Sequence, residues 1–409
     1  MMRMMRALAL AALILVGGVA AAEPNPPGIA DPDKAILDPA YSDPVLFWRI
    51  TSVPADPLEP EPYFYWPAQV VAGGVPRDLP RKAGKTSIPG PALDAMAAWA
   101  EARGSNALIV IHKGVVQLER YWHGNTPETL LNGRAITRSV TPLLLGFAVA
   151  DRALALDDPI GRYIPAWADD PRGKITVRQL AQNASGLEVA PTLPVTQILG
   201  NKDLCLAYCG DVVRAALAYK QVHLPGTRFE VAQENMQLLA YVIERATGTP
   251  IQRLMSERLW SKMGAGDAFV QMDRPGGVAR MMCCMRARGM DWARLGLLLA
   301  QDGRWQGQQL LPAGWAKTMA KPSSANSSFG LGLWLGSPYV PMRTYFQGKP
   351  GVVPQSEPFL ADDVLMMEGG GFRIVHIVPS ADLVIFRHGP AVPNWDMAYL
   401  VNTALRSLK

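Results

Sequence analysis

The amino-acid sequence predicts a mixed fold of helices and an antiparallel sheet. An apolar, β-rich run at 107–112 is followed by Lys113-Gly114 and by a second run at 115–122, which is typical of a β-hairpin. Amphipathic patterns in the middle of the chain, at 238–248 and 251–263, predict helices. Short apolar runs towards the C-terminus predict further strands, at 330–336, 364–368, 372–378 and 383–388.

The remaining elements follow from local signals. A helix is predicted over 92–103, immediately before the hairpin. The apolar run 143–155 predicts a second helix, which Asp157-Asp158-Pro159 would end. A further helix is expected to open at Asp291, with a turn over 302–307. Gly248 is expected to cap the helix that precedes it.

Bulk composition excludes two classes of function. The 409 residues carry a net charge of +5, and the lysines and arginines form no basic run of five or more, so no nucleic-acid partner is expected. No segment after the N-terminus has eighteen uncharged apolar residues, so no membrane span is expected in the mature chain. The five histidines lie far apart in sequence, and no metal cluster or cofactor motif is visible.

The N-terminus has the pattern of a secretory signal peptide over residues 1–22. Two arginines precede a short apolar core at 7–20, and small residues follow, which predicts cleavage after Ala22. The alternative is an uncleaved membrane anchor, although the apolar core is shorter than the ~20 residues that a span needs. We therefore expect a periplasmic or secreted protein, with an irregular, proline-rich arm at 23–90 before the folded domain at 91–409.

Export would place the four cysteines in an oxidising compartment. Cys205 and Cys209 can form a local disulfide if their segment is a loop, although the same pairing is awkward within a regular helix. The adjacent Cys283 and Cys284 are flanked by apolar residues, and we expect two buried thiols there.

Several segments together resemble one enzyme superfamily. The stretch 134–141, Arg-Ala-Ile-Thr-Arg-Ser-Val-Thr, leads into the apolar helix, and Ile-Thr-Val-Arg-Gln-Leu at 175–180 precedes Ser-Gly-Leu at 185–187. In this order and spacing they resemble the serine β-lactamase and penicillin-binding-protein superfamily, especially its esterase and 6-aminohexanoate-dimer-hydrolase branch. The resemblance implies an α/β (α+β) fold of the β-lactamase/transpeptidase type. An antiparallel sheet flanked by helices (about 91–155 and 276–409) would pack against a mostly helical part (about 156–275), with the site in the crevice between them.

The residues that the family uses for acyl transfer are absent from their expected positions. The family's Ser-x-x-Lys motif falls on Ala135 and Arg138. Its Phe-x-Tyr-Ser-Asn motif falls on 229–233, which places Val231 at the tyrosine position and Gln233 at the asparagine position. A methyl group cannot attack a carbonyl, and a guanidinium group stays protonated and cannot act as a base. The resemblance therefore assigns no catalytic residue.

Ser139, Ser185 and the vicinal cysteines are further candidate nucleophiles, and each has a structural role as its simpler interpretation. The favoured hypothesis is a catalytically inactive member that binds a small anionic or amide-bearing ligand in the crevice, through the helix start and Arg138. The five expected ligand-binding residues are Ala135, Arg138, Val231, Gln233 and Arg373 of the Gly-Gly-Gly-Phe-Arg stretch. A simpler hypothesis is that Arg138 only fills the old pocket, by pairing with Glu234 or another acid. The chain could also be an active amide or ester hydrolase with displaced catalytic residues, or a purely structural partner protein.

Overall fold

The computed structural model describes residues 67–75, 77–81, 84, 86–189 and 202–408. The expected signal peptide and the arm as far as residue 66 lie outside the described residues. The described end of the arm is not wholly irregular, because residues 68–71 form a strand that pairs with a strand at 268–271. The expectation of an irregular arm is therefore wrong for these residues, whose pairing depends on a partner almost two hundred residues away.

The strands are numbered in chain order: β1 (Ala68–Val71), β2 (Ala107–His112), β3 (Val115–Tyr121), β4 (Leu130–Asn132), β5 (Ala268–Gln271), β6 (Met285–Arg288), β7 (Arg304–Trp305), β8 (Gln308–Gln309), β9 (Trp334–Leu335), β10 (Met342–Arg343), β11 (Val353–Pro354), β12 (Leu365–Gly369), β13 (Arg373–Val378) and β14 (Leu383–His388). The α-helices are α1 (Gly90–Glu101), α2 (Ile136–Ala150), α3 (Val177–Ala181), α4 (Lys202–Tyr208), α5 (Val212–Leu217), α6 (Gln233–Thr247), α7 (Ile251–Met255), α8 (Gly289–Ala300), α9 (Trp315–Met319) and α10 (Tyr399–Leu408).

A six-stranded antiparallel sheet in the order β3-β2-β14-β13-β12-β9 forms the centre of the α/β part. Strand β2 is apolar without interruption because both of its faces are buried: Ile109 and Ile111 belong to one hydrophobic core, and Leu108 and Val110 belong to another. Helices α1 and α10 cover the second core, and α8 covers the first. The predicted antiparallel sheet flanked by helices is thus confirmed.

Two turns agree with the sequence predictions. Lys113 and Gly114 both have positive φ angles, of 53° and 71°, as a two-residue hairpin turn requires. Gly248 ends α6 in the left-handed conformation, with φ 66°, and its N–H bonds to the carbonyl of Glu244. Both features were predictable because a few neighbouring residues determine them.

One helix ends earlier than predicted, and another changes its geometry along its length. Helix α2 ends at Ala150, well before Pro159, because Arg152 adopts φ 59° and the N–H of Ala153 turns back to the carbonyl of Ala148. The predicted helix at 251–263 is helical throughout, but it passes from α to π at Ser256 and to 3-10 geometry at Ser261.

Helix α2 of the α/β part packs against α6 of the helical part, and both helices begin at the same crevice. A second antiparallel sheet has the strand order β1-β5-β6-β4. Its residues Val71, Val270 and Leu131 belong to the first hydrophobic core, the one that α8 covers. Among the described residues, no helix has the length and apolar character needed to cross a bilayer.

Both cysteine pairs are joined. Cys205 and Cys209 form a disulfide with an S–S distance of 2.04 Å, and Cys209 lies just beyond the end of α4. The structure also links Cys283 to Cys284, so the expectation of two separate thiols is wrong.

Candidate ligand-binding crevice

The crevice is a cavity of about 250 Å³ where the sheet meets the helical part. Ala135, Arg138, Val231 and Gln233 all line it, so four of the five site residues predicted from the sequence come together. They converge because the start of α2 and the start of α6 open onto the same cavity.

Ala135 occupies the N-cap position of α2 and offers only a methyl group to the crevice. The end of β12 lies directly against this helix start: a Cβ atom on Gly369 would meet the carbonyl oxygen of Gly133 at 2.5 Å and the nitrogen of Ala135 at 3.2 Å. Glycine at 369 is therefore required for this close approach, which places backbone groups of the strand and of the helix start on the same side of the cavity.

Arg138 lies in the first turn of α2, and its guanidinium is only partly paired. The Nε–H group donates to the carbonyl oxygen of Met282 at 2.9 Å, and no carboxylate lies within ion-pair distance among the described residues. The described structure therefore has no ion pair between Arg138 and Glu234, which the simpler hypothesis had expected. Burial lowers the pKa of Arg138, while the negative charges of Glu234 and Asp203 oppose this effect, and the side chain remains a cation at neutral pH.

Helix α6 begins at the crevice without a side-chain cap, because its N-cap residue is Ala232. Within the described part of the chain, the backbone N–H groups of Gln233 and Asn235 have no acceptor. Val231, in the family's tyrosine position, contributes an apolar side chain and donates its N–H to the carbonyl of Tyr345 at 3.0 Å. Uncapped N–H groups and the helix dipole together make this end of α6 favourable for an anion.

Glu234 is the buried acid of the crevice, with 1% of its surface exposed. Its Oε1 atom has no hydrogen-bond partner among the described residues. Burial raises the pKa of Glu234 to about 8, and the nearby negative charge of Asp203 adds to this while Arg138 opposes it. The side chain is therefore mostly uncharged at pH 7, and the crevice keeps the positive charge of Arg138. Asp203, whose pKa burial also raises, accepts a hydrogen bond from the Tyr219 hydroxyl at 2.8 Å.

Arg373 does not line the crevice. It is fully buried, its Nη1 donates to the carbonyl of Gly370 at 2.6 Å, and its Nε donates to Nε2 of His388 at 3.1 Å. The prediction that Arg373 contacts a ligand thus disagrees with its position, because the side chain turns back under its own strand to hold the glycine stretch. Arg387 supports the same stretch through the carbonyl of Gly371 at 2.8 Å.

The hydroxyl groups near the crevice are engaged. Ser139 is buried and donates to the carbonyl of Gly332 at 2.6 Å. Ser185 accepts from the N–H of Leu187 at 3.1 Å within its turn. The Tyr345 hydroxyl donates to Glu368, and burial raises the pKa of this phenol, so it is a poor nucleophile. Both cysteine pairs are joined and offer no thiolate.

Sequence reasoning missed Asp203, Tyr345 and Glu368 as crevice residues. Asp203 belongs to a helix in the middle of the chain, Tyr345 to a loop, and Glu368 to the strand before the glycine stretch. Of these three residues, Glu368 alone has a sequence signal, because it directly precedes the glycines at the edge of the crevice. Asp203 and Tyr345 have no motif and reach the cavity only through long-range packing.

Comparisons with known protein sequences indicate one family. A family model described as Beta-lactamase matches residues 93–386. The curated relatives include a 6-aminohexanoate-dimer hydrolase of Paenarthrobacter ureafaciens, 31% identical over 224 residues that cover 53% of this chain and 57% of that protein. A β-lactamase of Pseudomonas fluorescens is 25% identical over 173 residues, covering 41% of this chain and 46% of the relative. The chain thus spans about half the length of these relatives.

Solved structures show the same fold. A Bacillus anthracis protein assigned as a 6-aminohexanoate-dimer hydrolase superposes with a TM-score of 0.68 at 17% identity, covering 95% of this chain and 98% of that protein. A family VIII carboxylesterase gives a TM-score of 0.57 at 16% identity, covering 83% of this chain and 100% of the esterase. The match to the family model spans most of the chain, and on this ground the protein belongs to the beta-lactamase family of serine-hydrolase-related proteins.

Proposed function

We propose that this protein is a catalytically inactive member of its family that binds a small anionic or amide-bearing ligand in the crevice. The observation that carries the proposal is the exchange of three chemical groups at one place: Ala135, Arg138 and Val231 all line the cavity where family members have a hydroxyl nucleophile, an amine and a phenol. Acyl transfer needs a nucleophile and a base within hydrogen-bond reach of each other, and these side chains supply neither.

The electrostatics of the crevice support an anionic ligand. Arg138 has no carboxylate partner among the described residues, and α6 begins at the cavity without a side-chain cap. Glu234 adds a second, independent indication, because it is almost fully buried, lines the cavity and leaves Oε1 without a partner in the described structure. A protonated carboxylic acid there would donate a hydrogen bond to a bound anion, while Arg138 would supply charge-assisted hydrogen bonds.

Ligand binding is tested by the thermal shift that a small carboxylate produces. We expect Arg138→Ala to abolish the shift, since the fixed positive charge is lost. Arg245→Ala is the matched control, because Arg245 is an exposed residue near the far end of α6. An unchanged shift in Arg138→Ala would place the binding site elsewhere.

Catalytic silence is tested separately, by incubating the purified protein with a fluorophosphonate and with a penicillin. We expect no covalent adduct by mass spectrometry. A stoichiometric adduct on any serine would instead support an active amide or ester hydrolase with displaced catalytic residues, and Ser139→Ala would show whether Ser139 carries it.

We also propose that the protein is exported to the periplasm or secreted. The arginines and apolar core of residues 1–22 support this, and the disulfide between Cys205 and Cys209 is typical of oxidising compartments. N-terminal sequencing of the extracellular or periplasmic protein should find Glu23 first. An intact N-terminus in the membrane fraction would favour the uncleaved anchor.

A further inference from the structure

An aromatic wall lines the crevice, formed by Phe329, Trp334, Tyr345 and Phe346. The rings of Phe329 and Trp334 lie 4.9 Å apart between centroids, and those of Trp334 and Tyr345 lie 5.9 Å apart. Three of the four side chains therefore form a continuous series in edge-on or tilted contact, which is the arrangement that aromatic rings prefer.

The aromatic wall is held in position before any ligand arrives. The Arg343 guanidinium lies 3.8 Å from the centroid of the Trp334 ring and also pairs with Glu368, which accepts the hydroxyl hydrogen bond of Tyr345. These charged and polar contacts thus restrain two of the rings. A restrained surface loses little conformational entropy on binding, so its contacts contribute more of their energy to affinity.

The positive end of the crevice adjoins this wall. Burial and the negative charge of Glu368 raise the pKa of Tyr345, and Arg138 is close enough to oppose that rise. The N–H of Val231 also bonds to the carbonyl of Tyr345, which fixes the wall against the start of α6. A ligand that reaches Arg138 with an anionic group would therefore place the rest of its body near the rings.

The size of the cavity restricts the ligand further. Its volume of about 250 Å³ is below the ~300–1,000 Å³ of typical ligand pockets, so a compact molecule fits best. Val189, Val231 and Met236 also line the cavity. Together with the rings, these side chains offer an apolar surface to the body of a flat molecule.

We propose that the natural ligand class is a small aromatic carboxylate, bound with its carboxylate at Arg138 and its ring against the aromatic wall. This inference rests on the proposed function, because it names the ligand of the same crevice. It adds two requirements to the proposed function: the ligand has an aromatic body, and its polar group is a charged carboxylate and not an amide.

Three probes of matched size separate these requirements: benzoate, cyclohexanecarboxylate and benzamide, each titrated calorimetrically into the purified full-length protein. Benzoate should bind about three- to tenfold more tightly than cyclohexanecarboxylate, the factor that aromatic contacts contribute beyond buried area. Benzamide should bind at least about tenfold more weakly than benzoate, because a charge-assisted hydrogen bond to Arg138 is lost.

A pair of tyrosine variants tests the wall itself. Tyr345→Leu should remove the preference for benzoate over cyclohexanecarboxylate, whereas Tyr339→Leu, an exposed tyrosine outside the cavity, should keep it. If circular dichroism shows that Tyr345→Leu does not fold, Phe346→Leu takes its place, because Phe346 also lines the cavity and is only half-buried.

The outcomes distinguish this inference from the proposed function. Equal affinity for the two carboxylates, with both lost in Arg138→Ala, would overturn the aromatic ligand and leave anion binding intact. Benzamide binding as tightly as benzoate would overturn the carboxylate requirement. Absence of binding by all three probes, or binding that Arg138→Ala leaves unchanged, would overturn both proposals.

Discussion

The Glu234→Gln variant tests the electrostatic account of the crevice. Burial raises the pKa of Glu234 to about 8, with Asp203 and Glu188 adding to the rise and Arg138 opposing it. The folded protein therefore holds a proton that the unfolded chain, with an ordinary carboxyl pKa of 4.5, releases. Since the folded state binds more protons, this group makes the free energy of unfolding fall as pH rises from about 4.5 to about 8.

The size of the effect follows from that interval. Each pH unit within it changes the free energy of unfolding by ~1.4 kcal/mol, so the wild-type protein should lose about 3 kcal/mol between pH 5 and pH 7 through Glu234 alone. Glutamine has nearly the same shape and no titrating proton, so the variant should not show this loss. For a folded unit of roughly 300 residues, that difference corresponds to roughly 5 °C in melting temperature.

The assay is a set of thermal melts at pH 5, 6, 7 and 8 on wild type, Glu234→Gln and the control Glu101→Gln, which changes an exposed glutamate at the end of α1. Only the difference between variants at each pH is used, because Glu244 and further buried acids also titrate in this range. Parallel pH profiles for wild type and Glu234→Gln would show that Glu234 is ionised in the folded protein, and the electrostatic account would be wrong.

Three further outcomes are expected. Ala135→Ser alone should give no measurable hydrolysis of a p-nitrophenyl ester, because Arg138 and Val231 still supply no base. A triple variant that also carries Lys at 138 and Tyr at 231 should hydrolyse the ester faster than the single variant. Esterase activity in the single variant would show that the assignment of these positions is wrong. Carboxylate affinity, measured by calorimetry, should fall as pH rises through about 8, since ionised Glu234 repels the anion and neutralises Arg138, and the profile should be flat in Glu234→Gln. Ser139→Ala should lower the free energy of unfolding by about 1–3 kcal/mol in urea melts, because it leaves a buried carbonyl unpaired, and no change would mean that this hydrogen bond contributes little.

The sequence alone was sufficient for features that depend on near neighbours. The spacing of Ala135 and Arg138 places both on one turn at the start of α2, and the structure finds both in the crevice. The hairpin turn at Lys113-Gly114 and the cap at Gly248 were also predictable, since a positive φ angle is imposed by two or three adjacent residues. The motif spacings were enough to indicate the family because they record how consecutive elements follow one another.

Only the tertiary structure decided which side chains meet across the crevice. Arg373 carries the same charge as Arg138, yet it is buried against Gly370 and His388 while Arg138 faces the cavity. Tyr345 reaches the cavity from a loop more than a hundred residues beyond the start of α6. The physical reason is that side-chain direction, burial and therefore pKa depend on packing between segments distant in sequence, whereas spacing along the chain determines only the turn or strand on which a residue lies.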